Sequence, residues 1–262
     1  MSSTAATTGA SEALARFIAG THTGAEFENA LRAARARLIE VQTVLETPND
    51  ISELASRALE TYGSPFRRAF VAATTLAAMP PGTARSAIGT ASSTASTLIA
   101  MPGAHHDAAI VAAAIVSSEL AGRDAAHVVE AIAVGREVAA RLERALTLDP
   151  PWDAVAVIAG IGAAAAAARA AALDMEAARN AIGLAATQAA GLGITEGTPA
   201  AALGSGKAAA DAVEAALLAR HGFTSASASL EGRRGLTALM ASHLDESVLC
   251  GELGRRWDPG IE

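Results

Sequence analysis

Three places along the chain combine reactive side chains with the expected start of a helix. His105, His106 and Asp107 follow Pro102-Gly103 and precede an apolar run that predicts a helix over 107–121. Such a helix end favours anions and a neutral imidazole, which suits proton transfer. We therefore interpret His105 as a candidate general base and His106 as a candidate substrate-binding residue. The alternative is that Asp107 only caps the helix while both imidazoles are solvated.

Trp152 and Asp153 precede an alanine-rich segment that predicts a helix over 153–173. Asp153 is either the N-cap of this helix or a catalytic carboxylate in a pocket, and the two roles are compatible. Trp152 is interpreted as a residue that packs on the fold or covers the mouth of that pocket. Gln188 is polar within an apolar stretch, where it either reaches the pocket or satisfies a buried backbone group.

Lys207 is the only lysine among 20 basic residues, and it follows Gly204, Ser205 and Gly206. The glycine spacing predicts a loop over 191–206 and a helix that begins at Lys207. A lysine buried there is a candidate amine nucleophile or base, with Gly204 and Ser205 lining the pocket, and the alternative is a solvated lysine. A phosphate-binding loop would need glycine at 201 and Ser or Thr at 208, but both are alanine.

Composition narrows the class of protein to which these residues belong. The net charge of −7 argues against a nucleic-acid surface. The single cysteine, Cys250, excludes an intramolecular disulfide. Fifteen residues form the longest uncharged apolar run, Ala154–Ala168, whereas a membrane span needs about 20. We expect a cytoplasmic protein with a small-molecule substrate, no nucleic-acid or membrane partner, and no metal, nucleotide or flavin cofactor.

Helical periodicity extends over nearly the whole chain, and aromatic residues make up only 3% of it. The sequence therefore predicts an all-α fold, a single compact multi-helix domain over 11–262 that follows a disordered tail over 1–10. The helices are expected at 11–19, 26–46, 52–61, 65–78, 107–121, 124–146, 153–173, 174–190, 207–221, 236–242 and 246–255.

Five stretches, taken in their order and spacing, carry a family resemblance: Leu14–Gly20, Glu130–Leu142, Gly160–Asp174, Asn180–Leu192 and Ala215–Leu236. Together they resemble the large helical domain of the MmgE/PrpD family of 2-methylcitrate dehydratases and cis-aconitate decarboxylases. Members of that family normally continue into a smaller α/β domain, which the resemblance implies is missing here. Its absence would leave apolar surface exposed, so we expect a homodimer.

The resemblance implies lyase chemistry, in which a base removes a proton next to a carboxylate, or CO₂ leaves, and an enolate develops. The family's first catalytic histidine matches His105. The other functional positions differ: the Asp-rich run falls on 93–98 without a carboxylate, the second histidine on Asp153, the lysine near 201–202 and its neighbouring histidine on Gly204. These differences predict that the protein does not perform the parent dehydration by the parent mechanism.

Two functional hypotheses follow from these observations. The first is a cofactor-independent lyase, isomerase or cyclase that acts on a small carboxylic acid or enolisable carbonyl compound, in specialised metabolism. Its catalytic residues would be His105, Asp153 and Lys207, brought together at three helix N-termini. The alternative is a non-catalytic binding or interaction module that oligomerises or completes a site with another subunit.

Overall fold

The structure of the protein is a computed structural model that describes residues 9–45, 64–78, 106–150, 152–196 and 198–257. These ranges contain ten α-helices and two short strands. In chain order they are α1 (Ala10–Ala19), α2 (Ala25–Leu45), α3 (Ser64–Ala77), α4 (Asp107–Leu120), α5 (Ala125–Ala145), β1 (Leu146–Leu148), α6 (Ala154–Ala170), α7 (Met175–Gln188), α8 (Pro199–Arg220), α9 (Leu236–Met240), β2 (Ala241–Leu244) and α10 (Glu246–Cys250). The all-α prediction is confirmed.

Helix α6 is the centre of the fold, where it packs against α4, α5, α7 and α8. Residues 161–168 of this helix are all buried. Six consecutive alanines, 163–168, are fully inaccessible to solvent, so neighbouring helices meet α6 close to its backbone on every side. None of the described helices is both long enough and apolar enough to cross a bilayer.

Glycine permits a close contact between helices α5 and α6. A Cβ added to Gly162 would lie 2.9 Å from the Cβ of Ala139 and 3.0 Å from the carbonyl oxygen of Gly135. Any larger side chain would therefore push the two helices apart. Gly160, two residues earlier, faces more space, because its nearest such neighbour is the Cβ of Ala208 at 3.9 Å.

The observed helix starts agree with the predicted ones where an N-cap residue next to the helix determines the start. The side chains of Asp124, Asp153 and Asp174 all accept hydrogen bonds from backbone N–H groups in the first turn of α5, α6 and α7. Helix α1 begins one residue earlier than predicted, at Ala10, and that residue is buried. The expected helix over 52–61 and residues 1–8 of the expected tail lie outside the described residues.

The second of the two strands replaces part of the predicted helix over 236–242, so that prediction is wrong after Met240. Helix α9 ends at Met240, and β2 pairs antiparallel with β1 directly after α5. Two further backbone bonds extend the pairing, from Asp149 N–H to the Met240 carbonyl and from Asp245 N–H to the Ala145 carbonyl, each at 2.8 Å. This pairing joins segments almost 100 residues apart in sequence, so the helical pattern of either segment alone does not reveal it.

Aromatic side chains pack together where the N-terminal and C-terminal segments of the described chain meet. The imidazole of His22 lies 4.6 Å from the ring of Phe17, 5.5 Å from Phe27 and 5.1 Å from Trp257, measured between ring centroids. Burial, followed by the positive charge of Arg169, lowers the pKa of His22. The fold therefore favours the neutral imidazole at this position.

Acidification is expected to weaken this packing. The unfolded chain protonates His22 near pH 6.5, whereas the folded chain protonates it only at a lower pH. The free energy of unfolding is therefore largest above pH 6.5 and declines as the pH falls through the folded pKa, by about 1.4 kcal/mol for each unit between the two values. Urea unfolding at about pH 7.5 and about pH 5 measures this decline.

His22→Phe is expected to reduce the decline, because phenylalanine fills the same aromatic site without titrating. His221→Phe is the matched control, since His221 is exposed at the end of α8. If the free energy of unfolding declined with pH as steeply in His22→Phe as in the wild type, His22 would not be the group responsible.

Candidate functional site

Asp153 caps α6 at the point where the segment between α7 and α8 crosses it. Its Oδ1 accepts hydrogen bonds from the backbone N–H groups of Val155 at 2.9 Å and Ala156 at 3.2 Å, which confirms the N-cap interpretation. Within the part of the chain that the structure describes, no group donates a hydrogen bond to the other oxygen, Oδ2. The residue is only partly buried, and Oδ2 is the oxygen that does not take part in the cap.

Two glycines limit the side chains around this carboxylate. Gly191 lies at φ +146°, and its carbonyl oxygen accepts the Asp153 backbone N–H at 3.1 Å. A Cβ on Gly191 would lie 2.8 Å from the Cβ of Ala156, so glycine lets the segment pass this close to α6. Gly204 of α8 lies beside the same cap, because a Cβ built there would lie 3.4 Å from the Cβ of Ala156 and 3.8 Å from Asp153 Oδ2, both ordinary contact distances. Asp153 Oδ2 thus lies near one position of α8 that has no side chain.

His106 links this cap to α4 and α5. Its imidazole is 2% exposed, and Nδ1 lies 3.3 Å from the carbonyl oxygen of Val155. Because a carbonyl only accepts hydrogen bonds, Nδ1 carries the proton in this contact. The other ring nitrogen, Nε2, lies 3.7 Å from a carboxylate oxygen of Glu143. Val155 therefore connects the two candidate residues, through its N–H to Asp153 and its carbonyl to His106.

The alternative that treated Asp107 as an N-cap beside solvated imidazoles is wrong for His106 and Asp107. His106 occupies the cap position and is buried, while Asp107 is the first residue of α4. The Asp107 carboxylate lies 2.9 Å from Nε of Arg37 and 2.9 Å from Nε of Arg136. These two ion pairs tie the start of α4 to α2 and α5, and so they hold the backbone that presents His106.

Lys207 does not begin a helix, so that prediction is wrong. Helix α8 starts at Pro199, a residue preorganised for the first helical position, and Lys207 lies in its interior. The lysine side chain is 61% exposed and pairs with Asp211. Burial raises the pKa of the Asp211 carboxyl despite this partner. An exposed, paired ammonium lacks the apolar surroundings that favour a neutral amine.

The other residues predicted to line the site lie in two places, near Asp153 and within α8. Trp152 is partly buried and forms an antiparallel bridge with Leu192, next to Gly191. Gln188 ends α7, just before the same segment, and Ser205 is buried within α8. The structure thus brings Trp152 and Gly204 to Asp153, whereas the catalytic candidate His105 lies outside the described residues.

Three contributors to this site are not among the residues predicted from the sequence: Gly191, Val155 and Glu143. Gly191 carries a usable signal, because glycine in a connection between helices predicts a positive φ. Val155 acts through its backbone, and Glu143 acts through a contact with a residue 37 positions earlier in the chain. Neither type of contribution leaves a pattern in a single sequence.

These observations define an all-α domain with a capped, partly exposed carboxylate at the N-terminus of its central helix. The chain belongs to the MmgE/PrpD family, since the model of the MmgE/PrpD N-terminal domain matches residues 12–247. A comparison with curated proteins found no significant match. Family membership suggests a dehydratase-like, lyase-like or related role.

Proposed function

We propose that the protein is a cofactor-independent lyase, isomerase or cyclase that uses acid/base chemistry on a small carboxylic acid or enolisable carbonyl compound. The observation that supports it best is the placement of Gly204 opposite Asp153, at 3.8 Å from Oδ2 to a built Cβ. The family resemblance aligns histidines of the relatives with these two positions. The two positions are far apart in sequence but adjacent in the fold, which supports a shared site with a carboxylate at 153 and no side chain at 204.

In this proposal His105 removes the proton next to the substrate carboxylate or carbonyl group, and the electron pair of the broken C–H bond forms the enolate. Asp153 Oδ2 orients the imidazole or acts as the acid partner, while Oδ1 stays bound to the first turn of α6. The N-terminus of that helix carries a partial positive charge, which favours a substrate anion nearby. The exchange of the relatives' two histidines for a carboxylate and a glycine favours a substrate or reaction different from theirs.

His106 has a positioning role in the proposal, because its imidazole is buried against Val155 and Glu143. We assign no covalent step to Lys207, whose ammonium is exposed and paired with Asp211. The homodimer, the cytoplasmic location and the independence of cofactors stay predictions from the sequence.

Hydrogen–deuterium exchange tests the proposal without knowledge of the final product. The protein is incubated in D₂O with a panel of small carboxylic acids and 2-oxo compounds, chosen by mass spectrometry of material that co-purifies with it. NMR then follows deuterium entering the carbon next to the carboxylate or carbonyl group. We expect His105→Ala to slow this exchange by roughly 10²–10⁴-fold, the usual contribution of a general base.

Two substitutions of Asp153 separate its chemistry from its capping. Asp153→Asn retains an N-cap side chain but loses the carboxylate, so exchange should slow while stability is preserved. Asp153→Ala should slow exchange and also cost about 1 kcal/mol of stability, measured by urea unfolding. Undiminished exchange in folded His105→Ala and Asp153→Asn would reject this mechanism and favour the interaction module.

A further inference from the structure

The segment between α7 and α8, together with the first two turns of α8, is exposed but almost uncharged. Residues 189–206 include a single charged residue, Glu196, although most of the described residues in this range are at least partly exposed. Three large apolar side chains on this stretch contact solvent: Leu192 is 53% exposed, Ile194 85% and Leu203 43%. Single exposed apolar residues are normal, but a group of them on an uncharged stretch is typical of a binding surface.

Backbone contacts place Leu192 and Ile194 next to the candidate acid/base site. Leu192 forms an antiparallel bridge with Trp152, the residue that precedes Asp153. Ile194 is the central residue of a 3₁₀-helix, Gly193–Thr195, and this short helix contacts α8. The segment therefore runs from the start of α6 to α8.

Leu203 approaches the same site from α8. The next residue, Gly204, lies beside the cap of α6, since a Cβ built there would lie 3.8 Å from Asp153 Oδ2. The side chain of Leu203 is itself exposed, so it lies on the outer face of α8. Three apolar side chains from two elements thus border Asp153 and form the apolar rim of the site: Leu192, Ile194 and Leu203.

The size of the apolar rim favours a hydrocarbon chain as its occupant. A stable protein–protein interface buries roughly 800 Å² on each partner and involves about 20–30 residues on each side, whereas the rim offers three side chains. A small ligand needs only a few apolar contacts together with a polar group that fixes its orientation. Asp153 Oδ2 provides such a polar group at the border of the rim.

We propose that the substrate is a carboxylic acid or enolisable carbonyl compound with a hydrocarbon chain, and that this chain lies on the apolar rim. The proposal rests on the acid/base function proposed above, because it places the reacting carbon at Asp153. Each methylene group that packs on the rim removes apolar surface from water, so affinity increases with chain length. The three rim residues determine specificity and take no part in proton transfer.

Calorimetric titration of the whole protein with straight-chain 2-oxo acids, from 2-oxobutanoate to 2-oxooctanoate, tests the rim. We expect the dissociation constant to fall by about two- to fourfold for each added methylene group, the gain that partial to full burial supplies. Ile194→Ser combined with Leu203→Ser should reduce this gain to less than about twofold. Ile194→Ser alone should give an intermediate gain, and its exposed position makes it the variant that disturbs folding least.

Leu239→Ser is the matched control, because Leu239 is 69% exposed on α9 and lies outside the rim. It should keep the chain-length dependence of the wild type, and circular dichroism checks that each variant is folded. The proposal is overturned if no probe binds the wild type, if wild-type affinity does not change with chain length, or if the double variant keeps the full dependence. It is also overturned if Leu239→Ser loses the dependence to the same extent.

Sedimentation of the double variant tests a second copy of the chain as the occupant. If the variant loses an oligomer of the wild type but keeps the dependence on chain length, the rim is a contact between copies and the proposal is wrong.

Deuterium exchange with the same 2-oxo acids, below saturation, separates this proposal from the proposed reaction. Exchange at equal rates for all chain lengths would support the reaction and overturn the role of the rim. Chain-length-dependent binding without exchange would support the rim as a binding surface and reject the reaction.

Discussion

Gly135→Ala is expected to destabilise the protein by about 3 kcal/mol, near the upper end of the usual cost of overpacking a core. Gly135 lies where α5 crosses α6, and an added Cβ would lie 2.7 Å from the carbonyl oxygen of Gly162. It would also lie 2.8 Å from the Cβ of Ala166 and 2.9 Å from Cγ2 of Ile110. The carbonyl belongs to the backbone of the central helix, so a side-chain rotation cannot relieve this contact.

Gly160→Ala is the matched control for this substitution. Gly160 is also a helical glycine, but the nearest atom to an added Cβ is the Cβ of Ala208 at 3.9 Å, an ordinary contact. Alanine there should stabilise the protein by up to about 1 kcal/mol, because it is the better helix former. Urea unfolding of both variants measures the difference. Equal stability of Gly135→Ala and Gly160→Ala would contradict the close packing of α5 on α6.

The helix starts that the sequence predicts well are those whose cause lies within a few residues. Asp124, Asp153 and Asp174 each accept hydrogen bonds from backbone groups two or three positions ahead. An acidic or polar residue before an apolar run is therefore a sufficient signal. The alanine-rich composition likewise predicts α6, because alanine combines high helix propensity with small size.

Helix α8 begins earlier than predicted because its glycines serve packing rather than chain reversal. A Cβ on Gly206 would lie 3.0 Å from the carbonyl oxygen of Phe70, so this glycine lets α3 approach α8. Gly204 lies on the face of α8 that packs on α6, where an added Cβ would lie 3.4 Å from the Cβ of Ala156. A single sequence does not distinguish a glycine that permits a close helix contact from a glycine that ends a helix. Tertiary packing decides between the two, and here it overrides the low helix propensity of glycine.

The sequence predicts the candidate site only where a side chain caps the helix that directly follows it. The position of Asp153 follows from such a pattern and from the family resemblance. The burial of His106 does not, because it depends on Val155 and Glu143, both 37 or more positions away along the chain. The ion pairs of Asp107 are equally non-local, since they join three helices.

Those ion pairs lead to the second large effect: Asp107→Ala is expected to lower the free energy of unfolding by about 3 kcal/mol. That value is the lower end of the cost of removing one partner from a buried ion pair. The carboxylate is 3% exposed, and both arginine side chains are 19% exposed. Its removal leaves Arg37 and Arg136 without the anion that joins α2 and α5 to the start of α4.

Glu119→Ala is the control, at the other end of the same helix. Glu119 pairs with Arg68, but both side chains are about half exposed, at 51% and 50%. Exposed pairs of this kind contribute about 0–1 kcal/mol, and a negative charge in the last turn opposes the helix dipole. The variant should therefore unfold at nearly the same urea concentration as the wild type.

Asp107→Asn distinguishes loss of charge from loss of volume, because asparagine fills the same space and keeps one carbonyl oxygen as an acceptor. If the ion pairs carry the stability, Asp107→Asn should lie between the wild type and Asp107→Ala in urea unfolding. Wild-type stability of Asp107→Asn would mean that the alanine variant acts only through a cavity. An Asp107→Ala effect no larger than that of Glu119→Ala would show that these pairs do not hold the start of α4, and with it His106, in place.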